Sequence, residues 1–252
     1  MSIIRVGFIG CGGNASGHVG RILAMGECEV VGLCDVSETS IERVRERHRE
    51  QYPHIADVPV FADYREMLDN ERPDIVSICT WHPFHAEMTV AAASRKPQVI
   101  LCEKPMAINL GEAESMIDAC DHNGVKLVVG HQRRFEAIYT EAQKLIADGI
   151  VGQPITVTRR VGSGLLNWGT HVIDLTRQIL GDPETKWVIG QVERKTDRYE
   201  RRCAIEDLCA SIICFENDTR LILEIDMPPP HINNIFVHGS DCLLYTSDAA
   251  DE

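Results

Sequence analysis

Apolar residues in the first 130 positions fall into two alternating patterns. Short, nearly continuous apolar runs occupy residues 3–9, 29–34, 58–61, 74–79, 99–102 and 126–129. Between them lie longer stretches whose apolar residues recur at helical spacing: 15–25, 38–50, 64–70, 85–94 and 110–123. The short runs predict strands and the stretches predict helices. Strands that are apolar throughout are buried on both faces, and regular alternation with helices predicts a parallel sheet covered on both sides. Right-handed crossovers make such a sheet doubly wound.

After Gly130 the pattern changes. A helix is predicted over 135–148, with Gly149 near its end, and another over 171–180, closed by Gly181. A strand is predicted at 155–161, and four strand-like runs follow without intervening helices, at 186–193, 207–215, 220–225 and 235–238. That is the pattern of a mostly antiparallel sheet in an α+β domain. The fold class is α/β overall, with one domain expected over 1–129 and a second over 130–241.

Composition narrows the function. The 252 residues are 44% hydrophobic and 25% charged, as in soluble globular proteins. A net charge of -13 argues against a nucleic-acid partner, because phosphate neutralisation needs clustered Lys and Arg. The one dense charge run, at 42–50, mixes signs at helical spacing and reads as a solvated helix face. No two of the ten cysteines form a C-x-x-C pair, so no metal site is expected. Cys79, Cys102 and Cys214 lie in apolar runs and read as small buried hydrophobes of a reducing compartment. No apolar run is long enough to span a membrane, and the first strand begins too early for a signal peptide. A cytoplasmic chain is expected.

The first strand ends in GFIGCGGNA, in which Gly10, Gly12 and Ala15 fit G-x-G-x-x-[GA]. Gly10 permits a tight turn, Gly12 lets the backbone approach a pyrophosphate, and Ala15 lets helix pack on strand. Gly13 and Asn14 complete the turn, and the helix that follows offers free N–H groups to phosphates. Asp35, at the end of the second strand, is placed to accept hydrogen bonds from a ribose and to repel a 2′-phosphate. The expected cofactor is therefore NAD, with NADP disfavoured.

Several motifs then occur in order: VGFIGCGGNA, FADYREML, PDIVSICTWHPFHAEM, CEKP and GTHVID. As a set they resemble the Gfo/Idh/MocA oxidoreductases, in a match that extends to about Gly239. The resemblance implies a Rossmann domain, a C-terminal domain with an open sheet that serves oligomerisation, and substrates that are sugars, polyols or related compounds. It implies that Thr80 and His85 border the cofactor, together with Glu103 and Lys104 of the E-K-P motif. Lys104 would also touch substrate, with Arg134, Asn167, His171 and Asp174. Lys104 and His171 are the expected catalytic residues. A lysine near the nicotinamide can stabilise a developing alkoxide, and a histidine can take the hydroxyl proton. Without the resemblance, Lys104 would read as a solvated loop lysine and His171 as a structural histidine. His82 and His131 are weaker pocket candidates.

Two departures stand out. Many dehydrogenases of the family carry D-x-x-x-H, and here the aspartate position is Asn167. An amide can orient a hydroxyl but cannot act as a base. The final stretch, CLLYTSDAADE, resembles a translated sequencing adapter, so residues 242–252 are expected to be non-native and the second domain incomplete. The expected activity is hydride transfer between nicotinamide and a hydroxyl carbon of a sugar, cyclic polyol or derivative. The alternatives are a redox-neutral glycosidase that uses bound NAD, and a nonenzymatic dinucleotide-binding regulator.

Overall fold

Residues 3–228 and 234–246 are described by a computed structural model, which divides after Gly130 into two compact units. In the first unit the apolar runs become β1 (Ile4–Ile9), β2 (Cys28–Cys34), β3 (Val60–Phe61), β4 (Ile75–Ile78), β5 (Val99–Cys102) and β6 (Lys126–Val129). All pair in parallel, in the order β3-β2-β1-β4-β5-β6. This is the doubly wound order that reverses direction at β1, where a ligand crevice forms.

The intervening stretches are helices α1 (Gly13–Leu23), α2 (Glu38–His48), α3 (Tyr64–Glu71), α4 (His85–Ala93) and α5 (Leu110–Asn123). Their starts follow local chemistry. Ser37, Asp63 and Asn109 each accept a backbone N–H of the first turn of α2, α3 and α5. α5 ends at Gly124, whose φ of 68° is the left-handed conformation of a helix stop. α1 begins two residues before the predicted start, because Gly12 serves as its N-cap. Phe8, Ile9, Leu33, Ile78 and Ile100 are fully buried, each stabilising the sheet by roughly 1.5–3 kcal/mol.

The second unit contains α6 (Ala137–Ala147), β7 (Pro154–Val161), a π-helical turn at Gly164–Gly169 and α7 (Thr170–Ile179). There follow β8 (Thr185–Glu193), a hairpin of β9 (Tyr199–Glu200) and β10 (Cys203–Ala204), then β11 (Leu208–Phe215), β12 (Arg220–Ile225), β13 (Ile235–Gly239) and β14 (Leu243–Thr246). The larger sheet runs β14-β13-β7-β12-β11-β8, antiparallel except between β7 and β12. One face packs on α6 and α7 through Val157, Leu221, Leu223, Phe215, Leu175 and Ile179. Register places Ile189, Ile212, Ile222, Thr158, Phe236 and Tyr245 in one row on the other face. Ile189 and Tyr245 in that row are 64% and 63% exposed.

The hairpin and the π-helical turn have no counterpart in the predicted elements. Part of the segment expected to be non-native, β14, pairs with β13, while residues 247–252 lie outside the described residues. Beside the main-chain pairing, Tyr245 stacks on Phe236 and Leu244 packs against the core of the second unit.

All ten cysteines are free thiols, and Cys242 alone is exposed. Cys102 and Cys214 are buried as expected, whereas Cys79 is only partly covered. No described helix is long and apolar enough to cross a membrane. Among the described residues no group of three or more His, Cys, Asp or Glu side chains is placed to hold a metal ion.

Candidate functional site

In the first unit the chemistry-bearing residues follow the carboxyl ends of adjacent parallel strands: Gly10 after β1, Asp35 after β2, Thr80 shortly after β4 and Glu103 after β5. Gly10 donates its N–H to the Cys34 carbonyl at 2.8 Å and has a φ of +89°. A Cβ there would sit 2.9 Å from the backbone of Cys79 and Thr80, so the turn is closed to any larger residue. Gly12 and Gly13 are the reverse: a Cβ on either would meet nothing within 4 Å. The space over the start of α1, with Asn14 exposed and Ala15 fully buried beneath it, is a cradle of the kind a pyrophosphate fills.

Asp35 faces this turn. One carboxylate oxygen accepts the Cys11 N–H at 2.7 Å and the other the Ser37 N–H at 2.9 Å. Each oxygen keeps a second lone pair for a ribose hydroxyl. Burial pushes the Cys11 and Cys34 thiols up to about 12, with the Asp35 charge adding to the shift, so neither is a nucleophile at neutral pH.

Across the crevice, Glu103 is buried and lies 2.8 Å from His18 Nε2 on α1. Burial by itself would raise the Glu103 carboxyl. The His18 hydrogen bond and the Lys104 backbone N–H outweigh it and hold the group below the usual carboxylate range. Glu103 is thus committed to α1 and orders the loop that carries Lys104. The resemblance had made Glu103 and His85 cofactor neighbours. His85 is fully buried, with Nδ1 2.8 Å from the Pro105 carbonyl and Nε2 3.0 Å from the Thr80 carbonyl. Both neighbours are acceptors, and a neutral imidazole has one N–H, so the ring donates to one of these two carbonyls and fastens that backbone segment. Thr80 is half-buried, with its hydroxyl 3.4 Å from the Met88 sulfur, and His82 is buried with its ring 6.0 Å from that of His85.

In the second unit His171 lies in the first turn of α7 and is buried. Its ring is met edge-on by His131 at 5.6 Å and by Trp168 at 5.9 Å. The Arg133 guanidinium covers the Trp168 ring at 4.7 Å. Arg134 and Asp174, expected to bind substrate, are engaged with each other. Arg134 Nε donates to both Asp174 oxygens at 2.9 Å, and its two terminal nitrogens bond Asp182 at 3.0 and 2.7 Å. The two carboxylates hold the guanidinium above its ordinary range, and Asp182 is held below its own. With Gln178 donating to the Arg134 carbonyl at 2.7 Å, this is a clamp fixing the turn 132–135 to α7. Asp174 also stands 3.7 Å from His131 Nδ1, beyond hydrogen-bond distance. Asn167 Nδ2 donates to Glu200 Oε1 at 2.7 Å.

His18, Asp182 and Glu200 carry contacts at these sites that sequence reasoning missed. Each meets its partner at long sequence separation, and no local motif announces it.

A profile described as "Oxidoreductase family, NAD-binding Rossmann fold" matches residues 4–131. Among curated relatives, the uncharacterized oxidoreductase YrbE of Bacillus subtilis is 27% identical over 197 residues, 73% of this chain and 55% of that protein. Myo-inositol 2-dehydrogenase of Thermotoga maritima is 25% identical over 193 residues, 71% of this chain and 55% of that protein. The chain therefore spans about half the length of these relatives. Among solved structures, the WlbA dehydrogenase from Bordetella pertussis, in complex with NADH and UDP-GlcNAcA, superposes with a TM-score of 0.81 at 21% identity. That match covers 96% of this chain and 77% of the other.

Proposed function

The chain belongs to the Gfo/Idh/MocA oxidoreductase family, whose Rossmann fold binds NAD, and on that premise we propose that it is a dehydrogenase of sugars or cyclic polyols. It would move a hydride between nicotinamide and a hydroxyl-bearing carbon. The observation that carries this reading is the open cradle over Gly12 and Gly13 at the start of α1, with the Asp35 carboxylate beside the turn and Lys104 on the next ordered loop. Bound NAD would supply the hydride acceptor. The chain's own residues do the rest. The N–H groups at the start of α1 hold the pyrophosphate, and Asp35 accepts the ribose hydroxyls. Lys104 donates to the substrate oxygen and stabilises the charge that develops there. His171, packed edge-on against the His131 ring, takes the hydroxyl proton on a ring nitrogen. Asn167 aligns a neighbouring hydroxyl. The name of the myo-inositol 2-dehydrogenase relative supports a polyhydroxylated ring as the substrate class.

Fluorescence titration of the folded protein with NADH and NADPH tests the premise of this mechanism. A carboxylate at residue 35 is expected to favour NADH by at least about tenfold, the equivalent of ~1.4 kcal/mol. A folded chain that binds neither dinucleotide would sink the dehydrogenase reading.

We also infer that copies of the chain associate through the exposed sheet face, because the row Ile189, Ile212, Ile222 and Tyr245 would otherwise leave a contiguous apolar surface in water. Sedimentation equilibrium should give a multiple of the chain mass, and Ile189→Glu with Ile222→Glu should reduce it to a monomer. A monomeric wild type would overturn this.

A further inference from the structure

The second unit begins with the turn 131–135, and three side chains of that turn lie against α7 or the π-helical turn before it. The His131 ring meets the His171 ring edge-on at 5.6 Å. The Arg133 guanidinium covers Trp168 at 4.7 Å. Arg134 grips α7 itself. Its Nε donates to Asp174 at 2.9 Å, and its two terminal nitrogens donate to the two oxygens of Asp182 at 3.0 and 2.7 Å. A further contact runs the other way, from the Gln178 side-chain amide to the Arg134 carbonyl at 2.7 Å.

His171, Asp174 and Gln178 are spaced i, i+3 and i+7, so they share one face of α7. Val172, Leu175 and Ile179 lie on the neighbouring face, buried in the core of the second unit. Apolar burial decides which face turns inward, but it is non-directional and tolerates a small slide along the helix axis. Pairing of a guanidinium fork with carboxylates has a fixed geometry and does not. Asp182 is itself tied to the end of α7: its N–H donates to the Arg177 carbonyl at 2.7 Å, and Arg177 Nε donates to the Pro183 carbonyl at 3.1 Å. Arg134 therefore holds the helix about one turn after His171 and again just past its last turn. Its hydrogen bonds keep the Asp182 carboxyl below the ordinary carboxylate range, so the pairing is intact at neutral pH.

We propose that Arg134 is a positioning residue for His171: with Asp174 and Asp182 it fixes α7 along its axis and so places the imidazole, instead of binding substrate as the resemblance implies. This rests on the reading of His171 as the proton acceptor. A group that acts in this way bears on kcat, because a misplacement of about 1 Å can cost about a hundredfold in rate. Affinity for the sugar, which the clamp does not touch, is spared.

The test uses the whole chain with Asp182→Asn and Arg134→Lys. The first turns an accepting oxygen into an NH₂ group facing the guanidinium, and the second keeps the charge but loses the fork. With a polyol found by an NADH-linked screen of inositols and aldoses, each variant should lower kcat by about tenfold or more and keep KM within about threefold of wild type. A KM that rises about tenfold with kcat unchanged would make Arg134 a substrate contact and overturn the proposal. The ring signal of His171 in a carbon-13 histidine spectrum, identified by its loss in His171→Gln, should shift in both variants as its setting against the His131 ring changes. If that signal stays in place while Tm falls, the clamp is a stability contact only and the proposal fails. The Asp182 side chain is 43% exposed, so Asp182→Asn carries the test if Arg134→Lys does not fold. If the wild type oxidises none of the sugars, the dehydrogenase reading is what has failed, and the ring signal then decides the placement by itself.

Discussion

Lys104→Ala should lower kcat by about 10²–10⁴-fold while leaving NADH affinity within about threefold of wild type. The two effects separate because the residues are held by different parts of the sheet. The cradle for the pyrophosphate is made by Gly12, Gly13 and the N-terminus of α1, none of which uses the lysine. Lys104 follows β5 on a loop fixed at both ends. Glu103 is fastened to His18, and the Pro105 carbonyl lies 2.8 Å from the buried His85 ring. The ammonium is therefore presented by an ordered backbone, and its removal should cost the charge stabilisation without loosening the fold. Stopped-flow hydride transfer and NADH titration on the same preparation check this. A loss in kcat of less than about tenfold would remove Lys104 from the chemistry.

The second large effect contrasts two glycines. Gly10→Ala should destabilise the first unit by about 2–4 kcal/mol, since the methyl meets backbone at 2.9 Å and the residue must keep a φ of +89°. Gly12→Ala should leave Tm unchanged or slightly raised, because a Cβ there meets nothing and its φ of -73° suits alanine. Its cost should fall on the ligand instead: a loss of about a hundredfold in NADH affinity, ~2.7 kcal/mol, as the methyl enters the path of the pyrophosphate. Calorimetry of unfolding and binding separates the outcomes. If Gly12→Ala bound NADH normally, the cradle would not be the cofactor site.

The parallel sheet was legible because buried strands are apolar throughout, and β4 at Ile75–Ile78 lies within one residue of the predicted 74–79 at each end. The turn at Gly10 was legible because its spacing is local. The hairpin at Tyr199–Ala204 was not, since two strands of two residues are too short to show a period. Nor was Arg159, read only as part of a strand, yet buried on the covered face of β7. The resemblance named Arg134 and Asp174 but could not show that they hold each other and, through Asp182, the end of α7. Motifs record which residues recur, whereas partners that meet 33–85 residues apart are set by the packed fold.

With one exposed thiol among ten, the chain carries its own reporter of folding. Burial pushes the Cys11, Cys34 and Cys102 thiols up to about 12, leaving almost no thiolate to react while the first unit is closed. A brief pulse of alkylating reagent therefore marks Cys242 first in native molecules, partly covered Cys28 and Cys79 more slowly, and all ten positions in unfolded ones. The mass distribution after such a pulse reads out, molecule by molecule, how much of either unit has opened.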